Sequence, residues 1–351
     1  MAREMNRIIE CVPNFSEGRN QAVIDSIVEA ISLAGTVDDR VQVLHVDAGI
    51  GAHRTVVTFV GSPEAVCEAA FAGVCAASRL IDMRLHRGTH PRIGATDVLP
   101  LVPVKNVTLA ECAQMARDLA ARIARELGIP CYCYEAAASI PDRRNLAVCR
   151  QGEYESLAEK MADPLRRPDY GPAVFDEVCA RSGAVCVGAR NFLIAVNFNL
   201  DTTSVPVATE IACDVREKGR KVTLSNGIAT WQRGPLKGCK AIGWYIDEYG
   251  IAQVSMNVTD ISATPLHLAF DTVCRAALAR GVQVTGTEII GLVPQSVLLD
   301  AGRHYAPSET DPTALMARAI EAMGLDDLCP FIPSEKVIEL RMQAASATPA
   351  Q

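Results

Sequence analysis

The stretch VQVLHVDAGIGAHRTVVTFVG, residues 41–61, decides the fold class. VQVLHVDAG and RTVVTFVG are rich in β-formers and only IGAH separates them, so the pattern predicts an antiparallel pair rather than neighbours in a parallel sheet. A glycine-rich turn after a strand also raises a dinucleotide-binding reading. That reading fails twice: Arg54 stands where the third glycine of G-x-G-x-x-G belongs, and an extended run follows where the phosphate-binding helix has to begin. A plain hairpin turn explains the glycines equally well, yet Asp47, His53 and Arg54 crowd the strand end, where polar groups are often displayed to ligands.

Around the hairpin the chain alternates. RIIECVP (7–13) is a short apolar run stopped by Pro13, and residues 20–34 carry apolar side chains at helical spacing. SPEAVCEAAFAGVCAASRLID (62–82) opens with a Ser cap and a Pro in the first turn, which gives β-α-β-β-α. VLPLVPV, a helix closed by Gly128, and PCYCYEA follow. After a polar, Pro-rich passage from 151 to 172, a second alternating set begins at RNFLIAVNFNL. It holds a helix in VATEIACDVREKG, two strands around a Glu-Tyr-Gly turn, a helix ending at Gly281, and strands in VQVTGTEIIGLVP. Residues 220–238 lack a period and read as a loop insertion. The expectation is an α/β (α+β) protein of two sandwich subdomains with mixed sheets, 1–182 and 183–305, a ligand groove between them, and a helical tail at 306–351.

Composition narrows the function classes. The chain has 351 residues, 49% of them apolar, and 34 basic against 41 acidic side chains give a net charge of −7. That balance argues against a general nucleic-acid binder, which needs a basic face. No run reaches the ~20 apolar residues that span a bilayer, and the N-terminus lacks an uninterrupted apolar core, so neither membrane insertion nor export is expected. The 13 cysteines are scattered without a C-x-x-C pair, which suits buried thiols in a reducing cytoplasm.

LHRGTHPRIGATDV (85–98) concentrates the chemistry. His86 and His90 are four apart, but Gly88 lies between them and Pro91 biases His90 away from helix, so joint metal ligation on one helix face is disfavoured and no metal is expected. A loop histidine held by a carboxylate carries protons near neutral pH; Asp47 and Asp97 are both able to orient it. Arg190, just before an apolar strand, is suited to gripping a carboxylate at two points. Gly286 and Gly291 in TGTEIIGLVP are read as close packing, and neither G-x-S-x-G nor a Walker sequence is present.

ECVPNFSEGRN, VDAG before RTVVTFVG, HRGTHPRIGATDVLPLVPV, GARNFLIAVNFNL, GCKAIGWYIDEYGIAQVSMNVTD and GTEIIGLVPQSVLLDAG occur in this order from about residue 7 to 305, and together they resemble the tetrahydrofolate-dependent formiminotransferases of histidine breakdown. The resemblance implies a two-subdomain α/β fold, a homodimer, and folate in the groove between halves. It implies transfer of the formimino group of N-formimino-L-glutamate to N5 of tetrahydrofolate, with tetrahydrofolate as co-substrate. It makes His90, the histidine before proline in H-x-G-x-H-P-R, catalytic, and places the folate segment on Gly171, Pro172, Ala173, Val174 and Phe175, continuing to Gly183.

On that basis Asp47 is the candidate partner of His90, and Arg54, Arg92 and Arg190 are candidates for the glutamate carboxylates of both substrates. Three positions depart from the family: Thr89 stands where Glu is expected, His53 where Asn is usual, and DEVCARSG (176–183) differs in length and composition. No cyclodeaminase domain follows, so a separate protein is expected to act on the product. An N-formylglutamate-using formyltransferase and a non-catalytic folate-binding protein are the alternatives.

Overall fold

The computed structural model describes residues 7–37, 39–88, 90–225 and 227–346, and the chain divides into two compact units, Met1–Asn191 and Phe192–Gln351. In the first unit the elements run β1 (Ile8–Cys11), β2 (Asn14–Phe15), α1 (Gln21–Leu33), β3 (Gln42–Gly49), β4 (Arg54–Gly61), α2 (Pro63–Leu80), β5 (Thr96–Lys105), α3 (Leu109–Leu127), β6 (Cys131–Glu135), α4 (Leu146–Cys149), α5 (Leu157–Ala162), α6 (Glu177–Ser182) and β7 (Val185–Ala189). The hairpin forms as its sequence predicts: β3 and β4 pair antiparallel, with Asp47 opposite Val56 and Gly49 opposite Arg54. β1 and β2 each join β4 to β5 by antiparallel ladders, while β5, β7 and β6 run parallel, so the sheet is mixed.

Period-two alternation gives this sheet two faces. Ile9, Phe59, Leu101 and Val187 point to one of them and form a core with the apolar sides of α1, α2 and α3. The helices start where their caps dictate. Ser62 accepts from the Ala65 amide at 3.1 Å ahead of Pro63, and Thr108 and Glu111 form a reciprocal capping box, each cap being worth about 1 kcal/mol. On the other face Val98, Tyr132 and Cys186 pack against Cys149, Leu157 and Cys179 from α4, α5 and α6.

The sequence boundary at 182/183 puts β7 in the second half, whereas β7 hydrogen-bonds between β5 and β6 and the units divide after Asn191. A strand buried on both sides carries no alternation to say which sheet it joins.

The second unit contains β8 (Ile194–Leu200), α7 (Val205–Val215), β9 (Arg220–Thr223), β10 (Ala229–Gln232), β11 (Cys239–Ile246), β12 (Ile251–Val258), α8 (Leu266–Leu278), β13 (Val284–Ile290), α9 (Gln295–Tyr305), α10 (Pro312–Met323), α11 (Pro333–Lys336) and α12 (Ile338–Ser346). Its main sheet, in the order β11-β12-β8-β13, is antiparallel throughout. Phe198 and Val254 from the sheet share a core with Ile211 of α7 and Val273 of α8.

Two expectations change here. Residues 220–238, read as a loop, include the β9–β10 hairpin; every residue of β10 is exposed, so nothing imposes an alternating pattern on it. The 306–351 tail is no appendage over its described part, because Met316, Ile320 and Met323 of α10, and Val337 beyond it, complete the second core. Gly286 is a packing glycine as predicted, since an added Cβ would lie 2.1 Å from Asp327 Cβ. Among the described residues no helix is long and apolar enough to cross a membrane.

Candidate active site

A buried ion cluster anchors the start of β5. Asp97 is fully buried, and its Oδ2 accepts Nη1 of Arg54 and Nη2 of Arg150, both at 2.5 Å. Its Oδ1 takes the Ile93 amide at 3.0 Å, and Arg54 Nε donates to Asn14 Oδ1 at 2.9 Å. Burial alone would raise the Asp97 pKa, but the charges of Arg150 and Arg54 outweigh it and hold the carboxyl down at about 2. Burial also brings Arg54 down to about 10, against the pull of Asp97. Two cations share one anion, so the cluster carries an unbalanced positive charge suited to a carboxylate. Arg54 Nη2 has no partner among the described residues.

His90 belongs to this cluster. Its Nδ1 lies 2.8 Å from the Pro91 carbonyl, which can only accept, so Nδ1 carries the hydrogen and Nε2 keeps its lone pair. Burial, followed by the charges of Arg54 and Arg150, pushes the His90 pKa down to about 3. The ring is a neutral base whose Nε2 is in no hydrogen bond among the described residues.

The remaining loop residues build its frame. His86 is buried; its Nε2 donates to the His53 carbonyl at 2.9 Å and its Nδ1 accepts from Arg92 Nε at 3.2 Å. Both ring nitrogens are thereby spent on the protein. The His53 and His86 rings stack at 4.3 Å, and His53 Nε2 reaches Glu17 Oε1 at 3.1 Å. His53 has a φ of 51°, a left-handed conformation that Asn and His adopt more readily than most residues, which accounts for both residue types at this position. Among the described residues no group of three or more His, Cys, Asp or Glu is placed to hold a metal.

Arg92 departs from its expected role. Its guanidinium is buried and bonded to Glu153 at 3.0 Å and to both oxygens of Glu155 at 2.7 and 2.6 Å, so it clamps the 150–155 segment to the histidine loop and has little left for a substrate anion. Asp47 shares a sheet face with Arg54, since it pairs with Val56, but no bond joins it to His90 among the described residues. The Pro91 carbonyl holds Nδ1 instead, and the carboxylate whose charge acts on the ring is Asp97. Arg190, half-buried at the end of β7, donates Nη1 to the Asn191 carbonyl at 3.1 Å and is in no ion pair among the described residues.

The 171–183 segment reaches the histidine loop at its far end. Gly171 (φ 93°) lies against Ile129 and Pro130, Pro172 and Ala173 are half-buried, Val174 is exposed, and Phe175 packs on Tyr154 at 6.2 Å. Asp176 caps α6 through the Cys179 amide at 2.9 Å, so the divergent DEVCARSG stretch is a short capped helix. At Gly183 (φ 68°) an added Cβ would fall 2.3 Å from the Ile93 carbonyl oxygen; only glycine allows this crossing beside the His90 loop. Thr89 lies outside the described residues.

Sequence reasoning missed Arg150. Arg150 sits in a passage without periodicity, and nothing local marks it as the partner of a residue 53 positions away.

Residues 8–190 match the family described as "Formiminotransferase domain, N-terminal subdomain", and residues 195–343 match "Formiminotransferase domain". The "Glutamate formimidoyltransferase" of Streptococcus pyogenes serotype M1 is 42% identical over 306 residues, which are 87% of this chain and 95% of that protein. The protein of the same name from Thermoplasma acidophilum is 39% identical over 300 residues, covering 85% and 92%. The "Formimidoyltransferase-cyclodeaminase" of Sus scrofa is 44% identical over 340 residues, and the chain covers 95% of itself but only 60% of that relative's length. With both halves matched in order and the histidine loop built around a bare imidazole nitrogen, this chain belongs to the formiminotransferase family.

Proposed function

We propose that this protein transfers the formimino group of N-formimino-L-glutamate to N5 of tetrahydrofolate and releases L-glutamate. The observation that carries this reading is His90, a neutral imidazole whose Nδ1 is fixed by a carbonyl and whose Nε2 has no partner among the described residues, set among cations. N5 loses a proton as its bond to the formimino carbon forms, and the glutamate nitrogen gains one as its bond to that carbon breaks. His90 Nε2 takes the first proton and delivers the second, so atoms and charge balance without another acid or base.

An imidazole pushed down to about 3 is a weak base in the free protein. Burial is the larger cause of that depression and the cations the next; a substrate carboxylate would neutralise the cations, so substrate binding removes their part and raises the basicity where it is needed. Arg54, through the Nη2 that has no partner among the described residues, and Arg190 take the anionic ends of the substrates. Asp47, on the same face, is a carboxylate suited to the cationic formimino group. Arg92 acts by holding the loop. Residues 171–175 and Gly183 line the folate side. The reading carries with it a cytoplasmic homodimer and a separate cyclodeaminase acting on the product, two activities that the name of the Sus scrofa relative joins.

The test is to mix the purified protein with tetrahydrofolate and formiminoglutamate and follow both products. Equimolar release of glutamate and formation of N5-substituted folate is expected. Folate binding without glutamate release contradicts the proposal, and turnover only with N-formylglutamate assigns the formyl donor instead.

A further inference from the structure

Glu10 is a carboxyl group that the fold buries and leaves unanswered. Its residue is 3% exposed, and no hydrogen bond or ion pair reaches its side chain among the described residues. Its cross-strand neighbours are Val60 on β4 and Val102 on β5, which offer no donor side chain. The nearby charge of Arg190 only partly offsets the burial, and the Glu10 pKa stands raised to about 7. A buried carboxyl group without donors is costly to ionise, so donors brought by a ligand would stabilise it, which makes Glu10 a candidate ligand contact.

The position of Glu10 says which part of a ligand. Register is continuous along β4, where Glu10 pairs with Val60 and Asn14 with Val56, so Glu10, Asn14 and Arg54 lie on one sheet face. Against β5, Glu10 pairs with Val102 and Asn14 with Val98, a separation of four residues or about 13 Å. Asn14 is the residue that bonds Arg54, and Arg54 belongs to the His90 cluster. Glu10 is thus displaced along the sheet from Asn14 and the Arg54 cluster that Asn14 joins, by a length comparable to a bicyclic ring with a hydrogen-bond partner at each end.

A carboxylate facing apolar walls is matched by a planar fork of two N–H donors, the geometry of an arginine–carboxylate pair. Tetrahydrofolate presents such a fork, its ring N–H and adjacent 2-amino group, on the ring away from N5. Formiminoglutamate offers its own N–H fork only at the carbon that must sit beside His90.

Resting on the formimino-transfer reading, we infer that Glu10 is a specificity-determining residue that accepts the ring N–H and the 2-amino group of the pterin, holding N5 toward His90. Val60 and Val102 then flank the ring, and Arg190 limits the cost of the charge while it gains its donors.

The test measures binding of tetrahydrofolate and of its 2-desamino analogue to the wild type and to Glu10→Gln, together with the KM for formiminoglutamate at saturating folate. Charged hydrogen bonds of this kind predict a loss of roughly 10- to 100-fold in tetrahydrofolate affinity for Glu10→Gln. The wild type should prefer tetrahydrofolate over the analogue by a similar factor, and the variant should lose that preference, with the donor KM changed by no more than about twofold. Unchanged folate affinity in Glu10→Gln, a preference that survives in it, or a raised donor KM alone overturns the assignment. If the variant fails to fold, the wild type decides by itself, because equal affinity for the two folates also overturns it. Retained folate discrimination without formimino transfer would sink the proposed reaction and leave Glu10 in place.

Discussion

Replacing His90 with alanine lowers kcat by about 10²- to 10⁴-fold while tetrahydrofolate still binds within a few-fold of the wild type. The contrast follows from what His90 touches. Among the described residues its one hydrogen bond is to the neighbouring Pro91 carbonyl, so removing the ring breaks no tie between elements there. The Arg54–Asp97–Arg150 cluster, to which the proposed function gives the substrate anions, stays intact. A loss of folate affinity as large as the loss of turnover would make His90 a binding residue instead. Retained turnover would remove it from the chemistry altogether.

Asp97→Ala should be felt in folding rather than in one chemical step. It leaves Arg54 and Arg150 as neighbouring cations in a buried site without their shared anion, and breaking a buried pair by removing one partner costs about 3–5 kcal/mol. The lost amide bond to Ile93 also frees the end of the histidine loop. Urea or thermal unfolding of the first unit, followed by a probe confined to it, reads this directly. The pH dependence has a definite sign. Asp97 is held down at about 2 from an ordinary value of 3.8, so its contribution is complete above pH 3.8 and is lost as pH falls through 2. A change within about 1 kcal/mol would mean that the two arginines find other partners, and the cluster would lose its structural role.

The parts of the fold legible in sequence were those with local signatures. The β3–β4 hairpin shows in two β-rich runs around a four-residue turn, and α2 and α3 announce themselves by Ser62 with Pro63 and by Thr108 with Glu111. β7 reads as part of the other half because parallel pairing is a long-range choice that GAVCVGA does not encode locally. α10 reads as a tail because amphipathic spacing shows that a face is buried, not against which core.

The site divides in the same way. His90 was legible through the motif that surrounds it, and the choice between Asp47 and Asp97 was not, because it depends on how the chain turns between Pro91 and Thr96. Arg92 resembled an anion site only while Glu153 and Glu155, some sixty residues later, were out of view. Glu10 was visible as a break in an apolar strand, but its meaning needed the sheet register that places it on the face of Arg54.

Nitrogen-15 NMR of the histidine side chains, with the His90 signals identified by their disappearance in His90→Ala, bears most directly on the proton carrier. The ring should be neutral, with hydrogen on Nδ1 and none on Nε2, and should stay so from about pH 8 to pH 5, because its pKa lies near 3. A His90 that titrates near 6.5, or that carries its hydrogen on Nε2, would contradict the account.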